Sequence, residues 1–253
     1  MMLTTRLSKK LSEGNPQLWR ELKARLKWQT VAATIAASLL GQFILMTRFQ
    51  ESWSGKAYQQ GLYRAAFSTL FWVGLFLLVI GGSYWLVKDM AREEKRGTMD
   101  FLRLTPEPSE KILLGKLLGV PILLYLAIVL ALPLHLNIAL RANLNPISVL
   151  SDYALAISVC SLAYSYALLY ALASRAKARP SYLIIGVVFG YFAVLLFWGN
   201  LRLSGYEVNE LILRTVVTLG GAALIGILTI SCWELAVFRL RHPPKLPPSR
   251  PKV

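Results

Sequence analysis

The residue types that most often do chemistry are sparse in this sequence, and their spacing does not predict an enzyme. The two histidines, His135 and His242, have no cluster of acidic residues or cysteines with which to build a metal centre. Cys160 and Cys232 lie inside apolar runs and are predicted to be packing residues. Gly115-Lys116 lacks the earlier glycine of a phosphate-binding loop. We therefore expect no catalytic, metal or cofactor site on this chain.

A few polar groups lie within apolar stretches, where an ionisable residue is a functional candidate by default. His135 and Glu234 are the two titratable examples, although Glu234 has the alternative of pairing with arginines that follow it. Ser158, Ser161 and Ser165 are three and four residues apart, which places them on one helix face. Small residues at that spacing indicate close helix packing or, alternatively, a substrate path.

The most specific pattern is REEKRGTMDFLRLTPEPSEKILLGK, residues 92–116, in which eleven of twenty-five residues are charged. Gly97 is predicted to end a charged helical extension, and Thr98 to cap a short helix after it. Pro106 is among the prolines predicted to stop that short helix, since proline removes a donor and disfavours helix before it. Ser109 is predicted to cap the next helix.

The short helix carries apolar side chains that we expect to offer contacts to a partner, namely Met99, Phe101 and Leu102. The charges at 92–96 are expected to form ion pairs across such an interface. A solvated helix end would by itself explain the charges. It would not explain the Gly-Thr and Thr-Pro pairs at the helix boundaries.

The elements that position this segment are apolar runs close to the roughly 20 residues that a membrane-crossing helix needs. Hydrophobic residues make up 55% of the chain and charged residues only 16%. No alternating pattern predicts strands, so we expect an all-α integral membrane protein with six transmembrane helices. The six predicted spans are 29–47, 66–87, 117–140, 153–173, 181–199 and 215–238.

The net charge of +15 is unevenly distributed along the chain. Seven Lys or Arg residues lie in 1–28, seven in 88–116, three in 174–180 and five after 238, which leaves six for the other loops. The positive-inside rule then predicts a multi-pass protein of the inner (plasma) membrane with both termini in the cytoplasm. Lys and Arg beside anionic headgroups explain the basic balance, so no nucleic-acid partner is expected.

Residues 1–28 contain NPQLWRELKARLKW, which predicts an amphipathic helix before the first span. Asn15 is expected to cap it, and Pro16 suits the first helical position. Such a helix is expected to lie in the membrane interface as an anchor, with a docking surface for a cytosolic partner as the alternative. Its apolar face is predicted to comprise Leu18, Trp19, Leu22 and Leu26.

These patterns resemble the permeases of type-2 ATP-binding-cassette (ABC) transporters. The family's segment between helices two and three has the order Glu, Gly-Thr, Leu, Ser/Thr-Pro, Ile-Leu and Gly-Lys. The family also begins with an Asn-Pro-led amphipathic helix that carries a Glu-Leu-basic step, similar to 15–23 here. The residues that carry the first similarity are Glu93 or Glu94, Gly97, Thr98, Leu102, Thr105, Pro106, Ile112, Leu113, Gly115 and Lys116.

The resemblance implies a coupling helix within 88–116 that docks on a separate cytosolic ABC ATPase. ATP and Mg would be bound by that partner, and two permease copies, identical or related, would form the pathway of an exporter. Partner contacts are then expected at Glu93, Glu94, Arg96, Gly97, Thr98, Met99, Phe101, Leu102 and Pro106. A stand-alone secondary carrier or a membrane scaffold is the alternative, although a carrier usually has carboxylates near the bilayer middle.

The domain organisation follows from the same patterns. Residues 1–240 are predicted to form one six-helix transmembrane domain, with a short external helix at 200–214. Residues 241–253 are predicted to be a basic, proline-rich cytoplasmic tail that cannot pack.

Overall fold

The structure, a computed structural model, describes residues 13–50, 56–174 and 210–243. All regular secondary structure within these ranges is helical, as the composition predicts. The helices are α1 (Pro16–Arg25), α2 (Trp28–Gln50), α3 (Lys56–Phe76), a π-helical turn (Leu77–Gly81), α4 (Gly82–Lys95), α5 (Thr98–Leu104), α6 (Ser109–Gly119), α7 (Ile122–Arg141), α8 (Pro146–Ser174) and α9 (Glu210–Arg241).

Five stretches of the described residues are helical, long and apolar enough to cross a membrane, which is the coarse architecture that the sequence predicts. Five of the six predicted spans each overlap one of them, with different bounds. The predicted span 181–199, the turn 174–180 after its first residue, and the start of the segment 200–214 lie outside the described residues, as does the tail beyond 243. The five stretches are Trp28–Thr47, Gln60–Lys95, Ile122–Arg141, Pro146–Ser174 and Val216–Arg241.

The second of these stretches extends beyond the predicted 66–87 because α3, the π-helical turn and α4 are continuous. The Tyr164 hydroxyl donates to the carbonyl oxygen of Leu78 at 2.8 Å, inside the π-helical turn. A Cβ at Gly82 would overlap the Tyr164 ring, so only glycine permits this approach of α4 to α8. Turns of this kind satisfy part of their backbone outside the helix, and here α8 supplies the partner.

The predicted span 117–140 is wrong at its start. The helix is broken inside the predicted range, and the long apolar helix begins only after that break. α6 ends at Gly119, and α7 starts at Ile122, immediately after Pro121. Proline has no N–H to give to the preceding turn and its ring crowds that turn, which favours a break at this position, although α7 continues through Pro133. The Pro121 carbonyl accepts from the amides of Leu124 and Tyr125, which closes the first turn of α7.

The main hydrophobic core joins the polar end of the bundle to its interior. It is formed by residues of the π-helical turn, α4, α5, α6, α8 and the end of α9. A smaller core lies toward the other end of α3 and α7 and includes Phe67 and Ile138. The charged segment at 92–116 is therefore packed against the long apolar helices.

Candidate docking surface

The turn that leads into α5 is built on Gly97, whose φ of +73° is a left-handed conformation that favours glycine. Gly97 ends α4 as predicted, and its amide donates to the Glu94 carbonyl at 3.2 Å. The predicted cap at Thr98 is wrong in detail, because α5 already begins at Thr98 and its N-cap is Gly97. The Thr98 hydroxyl donates to the Glu93 carbonyl at 3.2 Å, so it closes α4 rather than opening α5.

The apolar side chains of α5 divide between two faces. Met99 and Leu102 are only 2% and 9% exposed and belong to the main core. Phe101 and Leu104 are 77% and 83% exposed on the opposite side. Of the three apolar residues predicted to contact a partner, only Phe101 is accessible. Leu104, which was not predicted as a contact, is also accessible. Met99 and Leu102 are three residues apart, and so are Phe101 and Leu104. Helical periodicity alone therefore indicates that α5 has two apolar faces.

Ion pairs to residues of the same chain hold α5 in place. Arg103 is 9% exposed and donates to Asp100 at 2.7 Å and to Glu94 at 3.0 Å. The pair with Glu94 ties α5 back to α4 across the Gly97 turn. Glu94, predicted to face a partner, is thus engaged inside the chain.

The last helix also braces the segment that follows α5. Arg241, at the end of α9, donates through Nε to the Ser109 hydroxyl at 2.9 Å and through Nη1 to the Arg103 carbonyl at 2.8 Å. It also donates to the carbonyls of Thr105 and Glu107. Ser109 therefore accepts from α9 instead of capping α6, whose N-cap is Pro108, and the prediction of a Ser109 cap is wrong.

Behind α5 lies a cluster of ionised groups centred on Lys116, whose side chain is fully buried. Lys116 Nζ donates to Glu21 Oε1 at 2.9 Å and to Asp89 Oδ2 at 2.6 Å. Glu93 Oε2 lies 2.8 Å from Nζ, outside hydrogen-bond geometry but within ion-pair distance. One ammonium group thus joins α1, α4 and α6.

Two arginines of α1 complete this ion cluster from its outer side. Arg20 donates to Glu93 at 2.7 Å, and Arg25 donates to Asp89 at 2.7 Å and to Glu21 at 3.3 Å. Three cations therefore match three carboxylates.

The surroundings keep Lys116 charged. Burial alone lowers the pKa of Lys116, but the negative charges of Asp89, Glu93 and Glu21 together raise it above its usual value. The carboxylate oxygens of this trio lie within 4.8 Å of one another, an arrangement that would suit a metal ion, but here the ammonium supplies the positive charge.

The helix α1 packs against α6 through two glycines. A Cβ at Gly115 would lie 2.8 Å from the Leu18 amide nitrogen, and one at Gly119 would lie 2.5 Å from Glu21 Cβ. Asn15 caps α1 as predicted, accepting from the Leu18 amide, and its own amide group donates to the Lys111 carbonyl at 2.8 Å. The helix is therefore fixed to α6 over most of its length.

The buried face of α1 differs from the predicted apolar face. The fully buried residues of α1 are polar, Gln17 and Glu21, and Gln17 donates to Glu21 at 3.2 Å. Leu18, Trp19 and Leu22 are half-buried, and Leu26 is exposed. Amphipathic periodicity alone could not reveal this, because the buried acid matters only once Lys116 lies opposite it.

The predicted path residues are not gathered into one cavity among the described residues. Ser165 is buried and Ser161 half-buried, and Ser158 donates to the Ala154 carbonyl at 2.9 Å, a pattern typical of packed helix faces. His135 is buried at the end of α7 remote from Lys116, whereas Glu234 is exposed. Arg241, a proposed partner of Glu234, is instead committed to the 103–109 segment.

The accessible residues on and around α5 form a small surface, which we call the α5 surface. It combines two exposed apolar side chains with a rim of exposed polar and charged groups. Its members are Arg96, Gly97, Thr98, Asp100, Phe101, Leu104, Thr105 and Pro106. Arg96, Gly97, Thr98, Phe101 and Pro106 in it were predicted contacts, and Asp100, Leu104 and Thr105 were not.

Comparison with known proteins adds no assignment: no family model, curated protein or solved structure matches this chain.

Proposed function

We propose that this chain is the membrane-spanning permease subunit of an ABC exporter and that the α5 surface docks on a separate ATPase. The observation that carries the proposal is the exposure of Phe101 and Leu104 on a helix whose other face is buried in the membrane domain's core. Large apolar side chains that stay exposed on a charged, braced segment outside the long apolar stretches are typical of a binding site.

The proposal also rests on how firmly α5 is attached. A helix that transmits force must not shift against the spans it moves, and α5 is fixed on three sides. Its core face packs with α4 and α6, Arg103 binds it to Glu94, and Arg241 ties the following segment to α9. A push on α5 would thus reach three helices at once.

In this mechanism the chain contributes motion rather than chemistry. The partner ATPase would bind and hydrolyse ATP with Mg, and its closure would displace α5 together with α4 and α6. Two copies, or one copy with a related permease, would enclose a path that alternates between the two sides of the membrane. Ser158, Ser161, Ser165, His135 and Glu234 remain predicted contributors to that path.

The test is co-purification of the tagged full chain from its source membranes in mild detergent, followed by mass spectrometry and an ATPase assay. Leu104→Asp, alone and with Phe101→Asp, should abolish retention of an ABC ATPase, because an acidic group would occupy an apolar pocket. Leu26→Asp, the same change at an exposed position of α1, is the matched control and should retain the ATPase. Thermal midpoints should stay within a few degrees of wild type in all three variants.

Two results would contradict the proposal. One is that the folded wild-type protein retains no ABC ATPase, which would favour the stand-alone carrier or scaffold. The other is that Leu104→Asp retains as much ATPase as Leu26→Asp, which would remove the α5 surface from the interface.

A further inference from the structure

A small pocket lies beside the ion cluster, between α1, α4 and the junction of α6 with α7. Its volume is about 170 Å³, well below the ~300–1,000 Å³ of sites that enclose a whole small-molecule ligand. One wall is charged and the other is apolar. The lining residues are Arg25, Trp85, Lys88, Asp89, Arg92, Val120 and Leu123.

The charged wall carries more positive than negative charge. Among the described residues, Lys88 and Arg92 have no carboxylate partner, and Lys88 contacts only Tyr84, through its hydroxyl at 3.1 Å and over its ring at 5.0 Å. The single acid of the pocket, Asp89, already binds Arg25 at 2.7 Å and Lys116 at 2.6 Å. An incoming anion would therefore meet two cations that no carboxylate in the described part of the chain neutralises.

The apolar wall points to an amphiphilic ligand. Trp85, Val120 and Leu123 line the pocket together with the cations, and Val120 and Leu123 lie on either side of Pro121, the residue before α7 begins. Trp85 lies one helical turn before Lys88 on α4, and an indole followed by Lys and Arg is typical of the headgroup level of a membrane. Basic pockets between helices at that level bind the headgroups of acidic lipids.

We propose that this pocket binds the phosphodiester of an anionic phospholipid. The phosphate would lie between Lys88 and Arg92, and the glycerol and first acyl carbons would lie along Leu123 and Trp85. A soluble phosphate would use the same two cations but would gain nothing from the apolar wall. The lipid would stand against α1, α4 and the α6–α7 junction at once, beside the ion cluster that joins the same helices.

Native mass spectrometry of the purified full chain in detergent would test this assignment, with phosphatidylglycerol and phosphatidylcholine of identical acyl chains titrated separately. The variant Lys88→Gln/Arg92→Gln should weaken phosphatidylglycerol binding roughly 5- to 30-fold, since each cation near an anionic headgroup contributes about fivefold in affinity. Lys88→Arg/Arg92→Lys keeps both charges and should bind close to wild type. The matched control is Lys95→Gln/Lys111→Gln, which removes two exposed cations at the end of α4 and in the first turn of α6, outside both the pocket and the α5 surface.

The outcomes separate the possible explanations. A loss confined to the pocket variant, with phosphatidylglycerol favoured over phosphatidylcholine in the wild type, supports the site. An equal loss in both glutamine variants indicates general attraction to acidic lipid and overturns it, as does equal affinity for the two lipids. Inorganic phosphate that displaces the lipid at equal concentration would assign the pocket to a soluble anion and overturn the lipid assignment.

Discussion

Two buried polar clusters lie at opposite ends of the described bundle, and they are built on different principles. At one end, Lys116 and its three carboxylates are ionised groups from three helices. At the other, His135 contacts the Tyr153 hydroxyl at 2.6 Å and the Phe67 carbonyl at 3.1 Å, and its ring stacks on Phe67 at 4.1 Å. One cluster is held by several ionised groups, and the other by a hydrogen-bonded, stacked aromatic group with one buried carboxylate, Asp152, close by.

The difference has energetic consequences. Burying an ion pair costs desolvation that nearly cancels its attraction, so such a cluster adds little net stability, yet removing one partner leaves uncompensated charge. A hydrogen-bonded aromatic group costs far less to bury and loses far less when truncated. We infer that the Lys116 end is built for fixed geometry among α1, α4 and α6, whereas the His135 end is built mainly for packing.

The sharpest test of this comparison is Lys116→Met, which should be the most damaging single change. Three carboxylates would be left around an apolar side chain, at a cost of about 3–5 kcal/mol. We expect a large fall in the thermal midpoint in detergent, measured by size-exclusion after heating. Lys116→Met/Asp89→Asn should recover much of the loss, because it leaves Arg20 with Glu93 and Arg25 with Glu21, two cations against two carboxylates. If the double variant is no more stable than the single one, charge balance is not what the cluster supplies.

A second test separates the close approach of α1 from the charges. Gly119→Ala places a methyl group 2.5 Å from Glu21 Cβ, which cannot rotate away, so α1 must shift. We expect a loss of about 1–3 kcal/mol from overpacking. Gly74→Ala is the control, because its added methyl meets only the end of Ile128, at 3.3 Å, and the gain in helix propensity offsets the contact. Equal thermal midpoints for the two variants would show that α1 does not need this approach.

The smallest effect is expected at the other end of the bundle. His135→Phe keeps the stack on Phe67 and removes the two hydrogen bonds, at a cost of about 1–2 kcal/mol. Tyr153→Phe removes one of the same bonds and should cost about half as much. Both thermal midpoints should lie well above that of Lys116→Met. A His135→Phe variant as unstable as Lys116→Met would contradict the distinction between the two clusters.

Local chemistry explains how much of the candidate site could be predicted. The φ requirement at Gly97, the cap at Asn15 and the helix-ending effect of proline are properties of one residue and its neighbours, so the sequence predicts the segmentation of 88–116 well. The division of α5 into a Met99/Leu102 face and a Phe101/Leu104 face was predictable from a spacing of three, but which face is buried was not. That depends on α4, α6 and α9, which contribute the core beneath α5.

The sequence by itself determined the helical class, five apolar stretches able to span a membrane and the breaks around α5, though not the break at Pro121, because hydrophobic length and backbone chemistry are local. Only the tertiary structure decided that Lys116 meets Glu21, 95 residues away, and that Arg241 holds the segment after α5, 132 residues from Ser109. The sequence alone does not show which carboxylates a lysine pairs with, because the fold brings them together. Burial then makes the pairing obligatory, because an unpaired charge away from water is too costly to keep.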